Sequence, residues 1–119
     1  MEKDFEGKTA LVTGGSRGIG CAVCLDLAKG GARVAVNYTS NREAAEETVQ
    51  TIIQDGGEAS AFKADVSDPE EVQKMVAETE KTFGPIDLLV TSAGIVRREN
   101  HETLSFDIWK LFPIPHPRA

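Results

Sequence analysis

The sequence predicts an α/β protein, a parallel sheet covered by helices on both faces. Three observations lead there. Short apolar runs at residues 9–13, 33–38, 59–64 and 86–91 alternate with three longer amphipathic stretches. Each stretch is long enough to return the chain to the start of a parallel neighbour by a right-handed crossover. The runs are close to continuously apolar, as strands buried on both faces are.

The elements follow in order. Residues 9–13 (TALVT) are apolar and β-branched and stop at Gly14-Gly15, which marks a buried strand. Residues 19–29 read as a helix with Ile19, Ala22, Val23 and Leu27 inward, ended by Gly30-Gly31. Residues 33–38 (RVAVNY) are the second strand. Ser40 and Glu43 have capping-box spacing, which predicts a second helix capped by Ser40. Its inner face is Ala45, Val49, Ile52 and Ile53, and Gly56-Gly57 ends it. Residues 59–64 are the third strand. Asp68 then serves as N-cap, Pro69 as first helical residue, and Glu71 completes a second box. This third helix buries Val72, Met75, Val76 and Phe83 before Gly84-Pro85, and residues 86–91 form the fourth strand. Residues 102–110 have helical character, with Leu104, Phe106, Ile108 and Trp109 available for packing. Beyond Lys110, Pro113, Pro115 and Pro117 cannot continue a helix and predict an extended, loose tail.

A chain of 119 residues fits one domain. With 40% hydrophobic and 27% charged residues it reads as an ordinary soluble globular protein. Its net charge of −6 excludes a basic field for nucleic acid or an anionic membrane. Any phosphate must be held locally, by backbone N–H groups and one or two Arg side chains. The start, Met1-Glu2-Lys3-Asp4-Phe5-Glu6, is not a signal peptide, and no apolar run approaches a membrane span, so a cytoplasmic location is expected. Cys21 and Cys24 have the spacing of a redox motif at a helix start, but two small side chains packed in the interior are the simpler reading. No metal site is expected, since His101 and His116 are isolated. Glu43, Glu46 and Glu47 read as a solvated helix face.

The chemistry lies in the loop Thr13-Gly14-Gly15-Ser16-Arg17-Gly18-Ile19-Gly20, between the first strand and the first helix. Glycines there let the backbone turn sharply and approach a diphosphate, and the helix start offers unpaired N–H groups to its charge. The spacing is Gly-x-x-x-Gly-x-Gly, distinct from the commoner Gly-x-Gly-x-x-Gly and from a Walker loop.

From about Phe5 to Trp109 the chain resembles the short-chain dehydrogenases/reductases. Gly14, Gly18 and Gly20 match that family's Thr-Gly-x-x-x-Gly-Ile-Gly motif. Asp65-Val66 match its adenine-contacting position, and Ala93-Gly94 the end of its Asn-Asn-Ala-Gly motif. The opening residues 5–13 and Gly15-Ser16-Arg17 look most like the 3-oxoacyl-[acyl-carrier-protein] reductase branch. The resemblance implies a truncated Rossmann-type parallel sheet of strand order 3-2-1-4. It also implies a nicotinamide dinucleotide as partner and reduction of a carbonyl, such as an acyl thioester, by hydride transfer. Implied cofactor-binding residues are Gly14, Gly15, Ser16, Arg17, Gly18, Ile19, Gly20, Asn37, Tyr38, Thr39, Asp65, Val66, Ser92, Ala93 and Gly94.

NADP(H) is preferred over NAD(H). Enzymes that use NAD place an acidic residue at the end of the second strand for the ribose 2′-OH. Here that end reads Asn37-Tyr38-Thr39-Ser40, and no acid precedes Glu43. Arg17 supplies charge for a 2′-phosphate, with Arg42 a second candidate.

Two departures from the family stand out. Thr91-Ser92 replace two asparagines, so Ser92 reaches less far towards the nicotinamide ribose. The family's acid is a Tyr whose pKa a Lys four positions later lowers from its ordinary value near 10, assisted by a Ser and an Asn. None can be placed here: the single Tyr is Tyr38, position 42 is Arg, and no catalytic residue is assigned. Residues 1–110 thus read as the N-terminal part of a dinucleotide-binding domain, and 111–119 as a proline-rich tail foreign to the family. The fourth strand is expected to be an exposed apolar edge. The family's tetramer helices are expected to be mostly absent, leaving a weakly stable monomer or non-specific oligomer. The chain by itself is expected to be inactive in hydride transfer, and the alternatives to the binding part of a reductase are a non-catalytic nucleotide-binding module and an inert fragment.

Overall fold

The computed structural model describes residues 5–14, 18–91 and 94–97. The expected helix at 102–110 and the tail at 111–119 lie outside the described residues. The elements are β1 (Thr9–Val12), α1 (Gly18–Lys29), β2 (Arg33–Tyr38), α2 (Arg42–Gln54), β3 (Glu58–Lys63), α3 (Pro69–Phe83), β4 (Leu88–Thr91) and β5 (Gly94–Arg97). The sheet order is β3-β2-β1-β4-β5. The first four strands are parallel, in the predicted 3-2-1-4 order, and β5 runs antiparallel to β4.

Alternate residues of β1 feed two cores. Leu11 faces Ala35, Phe62, Val72, Met75, Ile86 and Leu89, under α3. Ala10 and Val12 face Cys24, Leu27, Val34, Val36, Ala45, Val49 and Ile52, under α1 and α2. Both faces of β1 are closed, and all four of its residues are 0% exposed. A side chain such as Leu11 contributes about 1.5–3 kcal/mol by such burial.

β5 corrects the expectation of an open edge at β4. Thr91 pairs with Gly94 and Leu88 with Arg97, so β5 lies along the outer side of β4. An antiparallel neighbour needs only a two-residue connection, whereas a parallel one needs a full crossover. The backbone groups of β4 therefore find partners from the next few residues of the chain.

The helix faces differ from the periodicity reading. In α1 the buried residues are Cys24 and Leu27. Ile19 is 85% exposed and Ala22 is exposed, so the inner stripe is turned away from both. In α2 the buried set is Ala45, Thr48, Val49 and Ile52, while Ile53 is 46% exposed. Thr48 takes an inward place because its hydroxyl donates to the Ala44 carbonyl (3.1 Å) and meets Cys21 Sγ at 3.3 Å. In α3, Val72, Met75 and Thr79 are buried, and Val76 and Phe83 pack against that core.

Both caps also differ in detail. The cap of α2 is Asn41, whose side chain accepts from the Ala44 N–H at 3.1 Å, so Ser40 lies one residue outside. An Asn carbonyl satisfies an orphan helix donor as well as a Ser hydroxyl does. In α3, Asp68 is the cap as expected, accepting from the Glu70 N–H at 2.9 Å. Glu71 does not close a box on Asp68; it reaches further back and accepts from the Asp65 N–H at 3.0 Å.

Cys21 and Cys24 are not joined by a disulfide, and Cys24 is 0% exposed. Burial pushes the Cys24 thiol up to about 12, with Cys21 adding to the rise and a backbone hydrogen bond opposing it. A buried thiol with a raised pKa is a poor nucleophile, so Cys24 serves here as a packing residue.

Two outcomes are expected. Asn41→Ala should cost about 1 kcal/mol in urea denaturation, and Ser40→Ala close to nothing. The folded pKa of Cys24 lies above its ordinary 9.0, so the folded state holds the thiol proton that the unfolded chain loses. Its contribution is complete below pH 9.0 and is lost as pH rises towards 12. The decline is at most about 1.4 kcal/mol per pH unit. Cys24→Ala should flatten the alkaline fall in urea midpoint; an unchanged slope would refute the assignment.

Candidate functional site

Four parallel strands send their carboxyl ends to one edge of the sheet. Ligands of open α/β sheets bind at that edge. β1 is central, between β2 and β4, and the glycine loop leaves from its end. Gly14 and Gly18 frame the loop with φ of 64° and 53°, a left-handed conformation that side chains rarely adopt. A Cβ at either position would meet nothing within 4 Å. Open space thus stands in front of both glycines. α1 begins at Gly18 and has no acidic residue in its first turn, so no carboxylate there competes for its N–H groups. This arrangement fits a diphosphate group. The 85% exposed Ile19 presents an apolar surface beside it. Gly20, in the same turn, is half-buried. Gly15, Ser16 and Arg17 lie outside the described residues.

The loop's departure is pinned from two sides. The Thr13 N–H donates to the Val90 carbonyl at 2.9 Å, and its hydroxyl approaches the same oxygen at 3.4 Å. The Gly14 N–H donates to Asn37 Oδ1 at 3.2 Å. Asn37 is 1% exposed, and its amide nitrogen donates to Ala64 O (3.2 Å), Phe62 O (3.3 Å) and Tyr38 O (3.4 Å). Its side chain is thus used within the protein and offers a ligand no free group. The sequence signal for this was a polar residue directly after the apolar run Val34-Ala35-Val36 of the strand. The surface at the end of β2 belongs to Tyr38, half-buried, and to Thr39 and Ser40, both exposed.

Arg42 opens α2 beside them, with its side chain 74% exposed. Its Nε lies 2.8 Å from Glu46 Oε1, one turn along. That hydrogen bond and charge raise the Arg42 pKa, with a smaller contribution from Tyr38.

After β3 the chain reaches Asp65, which is exposed, and Val66, which is half-buried against the α3 core. Asp65 Oδ1 accepts from the Ser67 hydroxyl at 2.6 Å and the Ser67 N–H at 2.9 Å. Those two bonds hold the carboxyl below its ordinary pKa. Glu71 fixes the Asp65 N–H, so the corner has a single orientation. Past β4, Ser92 and Ala93 lie outside the described residues, and Gly94 is the first residue of β5. The described part of the predicted set therefore gathers along one edge, while Asn37 lies beneath it.

Among the described residues, no group of His, Cys, Asp and Glu is arranged to hold a metal ion. Nor is any helix there long and apolar enough to cross a membrane.

Comparison with known proteins agrees with this geometry. A family profile described as short chain dehydrogenase matches residues 8–112. Versicolorin reductase 1 of Aspergillus parasiticus is 50% identical over 92 residues, covering 77% of this chain and 35% of that protein. A 3-oxoacyl-[acyl-carrier-protein] reductase of Staphylococcus aureus is 48% identical over 90 residues, covering 76% of this chain and 37% of that one. The crystal structure of a short chain dehydrogenase from Burkholderia cenocepacia J2315 in complex with NADP superposes with a TM-score of 0.72 at 43% identity. That match covers 87% of this chain and 42% of the other. The chain spans less than half the length of each of these relatives. Strand order, glycine loop and sequence similarity agree, and the chain belongs to the short-chain dehydrogenase/reductase family.

Proposed function

We propose that this chain is the NADP(H)-binding part of an oxidoreductase that reduces a carbonyl, with 3-oxoacyl thioesters as the substrate class. Residues 1–110 are the binding unit, and the proposal includes a cytoplasmic location. The observation that carries it is the pair of left-handed glycines, with open space before them, at the carboxyl end of the central strand and the start of α1. When bound, the cofactor supplies a hydride. The protein's own part here is to bind and orient. Amides at the α1 N-terminus take the diphosphate, Asp65 and Val66 bound the adenine, and Ile19 covers the cofactor's inner flank.

The preference for NADP(H) rests on charge, with Arg17 of the glycine loop the first candidate to pair a 2′-phosphate and Arg42 the second. No carboxylate stands at the end of β2, where one would repel a 2′-phosphate. Arg42 is exposed and, among the described residues, is tied to an exposed Glu46. Such a surface pair is weak, so a dianionic phosphate can draw the guanidinium away from it. The Burkholderia relative holds NADP, which supports the same choice.

A second reading, a nucleotide-binding module without catalysis, is favoured by one observation. Tyr38 is the chain's single tyrosine, and it sits at the end of β2, by the adenosine side of the site. It is on the wrong side to protonate a substrate carbonyl.

NADPH fluorescence titration tests the proposal: binding should saturate, and more tightly than for NADH. Arg42→Ala should weaken NADPH about three- to tenfold and leave NADH nearly unchanged. Glu46→Gln should tighten NADPH about two- to threefold by releasing Arg42. Absence of saturable binding would remove the dinucleotide reading, and equal affinities for the two cofactors would remove the NADP(H) preference. No catalytic acid is assigned in this chain, so no turnover of a 3-oxoacyl thioester by the purified chain is expected; turnover would refute that assignment and remove the module reading.

A further inference from the structure

We propose that Asn37 is a positioning residue for diphosphate binding: its buried carboxamide fixes the direction in which the glycine loop leaves β1. The role rests on the dinucleotide reading above and moves Asn37, 1% exposed, from contact with the cofactor to positioning of the loop.

Asn37 lies in β2, one residue before the strand ends, with 1% of its surface exposed. A buried amide has one acceptor oxygen and two N–H donors to satisfy. The oxygen takes the Gly14 N–H at 3.2 Å. The nitrogen faces the carbonyls of Ala64, Phe62 and Tyr38 at 3.2, 3.3 and 3.4 Å. Only one orientation of the amide works, because the flipped form would set its oxygen against three carbonyls. An Asp would fail for the same reason, and a Ser or Thr has one hydrogen for the same carbonyls.

Held this way, the peptide between Thr13 and Gly14 cannot rotate. Its N–H points sideways into β2 while the Thr13 N–H is held by Val90 O in β4. Gly14 must then leave the sheet through its left-handed φ of 64°, towards the open start of α1 at Gly18. The same amide joins the loop to Ala64, the residue before Asp65. The diphosphate corner and the adenine corner therefore share one buried anchor. Pre-set donors bind an anion without first being ordered, and that saving appears as affinity.

The test uses Asn37→Leu in the full chain, at a temperature where circular dichroism shows it folded. Diphosphate is common to NADPH and NADH, so both affinities should fall by the same factor, about tenfold. Met75→Ala, which destabilises the core beneath α3, should keep wild-type affinity for both. Undiminished affinity in a folded Asn37→Leu protein would overturn the role. A loss confined to NADPH would also overturn it, since that would mark a contact with the 2′-phosphate. If Asn37→Leu does not fold, exchange in the wild type decides. The Gly14 amide and the Asn37 side-chain NH2 should exchange as slowly as the β2 ladder amides, and rapid exchange would overturn the anchor. A wild-type chain that binds neither dinucleotide overturns the parent reading and this role together.

Discussion

Val12 is level with Val36 on one side and Val90 on the other, and Val36 is level with Ala61 beyond it. That single row of register holds four parallel strands so that they end together. The strand-end residues of the site stand within a few residues past the row: Gly14 after β1, Thr39 after β2, Asp65 after β3, Gly94 after β4. A slip of one residue in any ladder would turn that strand's side chains to the other face and exchange its partners between the two cores. The cores under α1 and α2 on one face and α3 on the other hold the row in place.

Above the row, an acidic protein presents a surface suited to anions. It does so without a basic patch. The backbone N–H groups at the start of α1, with no acidic residue in its first turn to compete for them, act locally. Three carboxylates near the edge are engaged with their own surroundings. Asp65 is bound by Ser67, Glu71 by the Asp65 amide, and Glu46 by Arg42. Local geometry thus sets the potential at the site, and the net charge of −6 has little bearing on it.

The departures from sequence expectation share a cause. Periodicity assigns Ile19 to the inner face of α1, yet it stands in the first turn of the helix and is 85% exposed. Ile53 likewise points off the last turn of α2, while a threonine hydroxyl-bonded to its own helix takes a place inside. The cap at Asn41 and the long reach of Glu71 were hidden because several residues of suitable chemistry stood side by side. Hydrophobic pattern reports an average face, and it fails at helix ends, where the neighbouring layer stops.

Order, type and direction of the elements were legible from the chain alone. Apolar runs, glycine stops and crossover lengths are local quantities, and right-handed connection leaves little choice for the rest. The glycine loop was legible for the same reason, since small residues between a strand and a helix have few other uses. The burial of Asn37, the antiparallel β5 along β4 and the raised thiol of Cys24 were not. β5 follows β4 directly, and its four residues take a direction only once β4 offers an open edge. The other two depend on residues far along the chain: Gly14, Phe62 and Ala64 around the Asn37 amide, and the core shared with α2 around Cys24. Such long-range encounters exist only once the sheet has closed and water has left it.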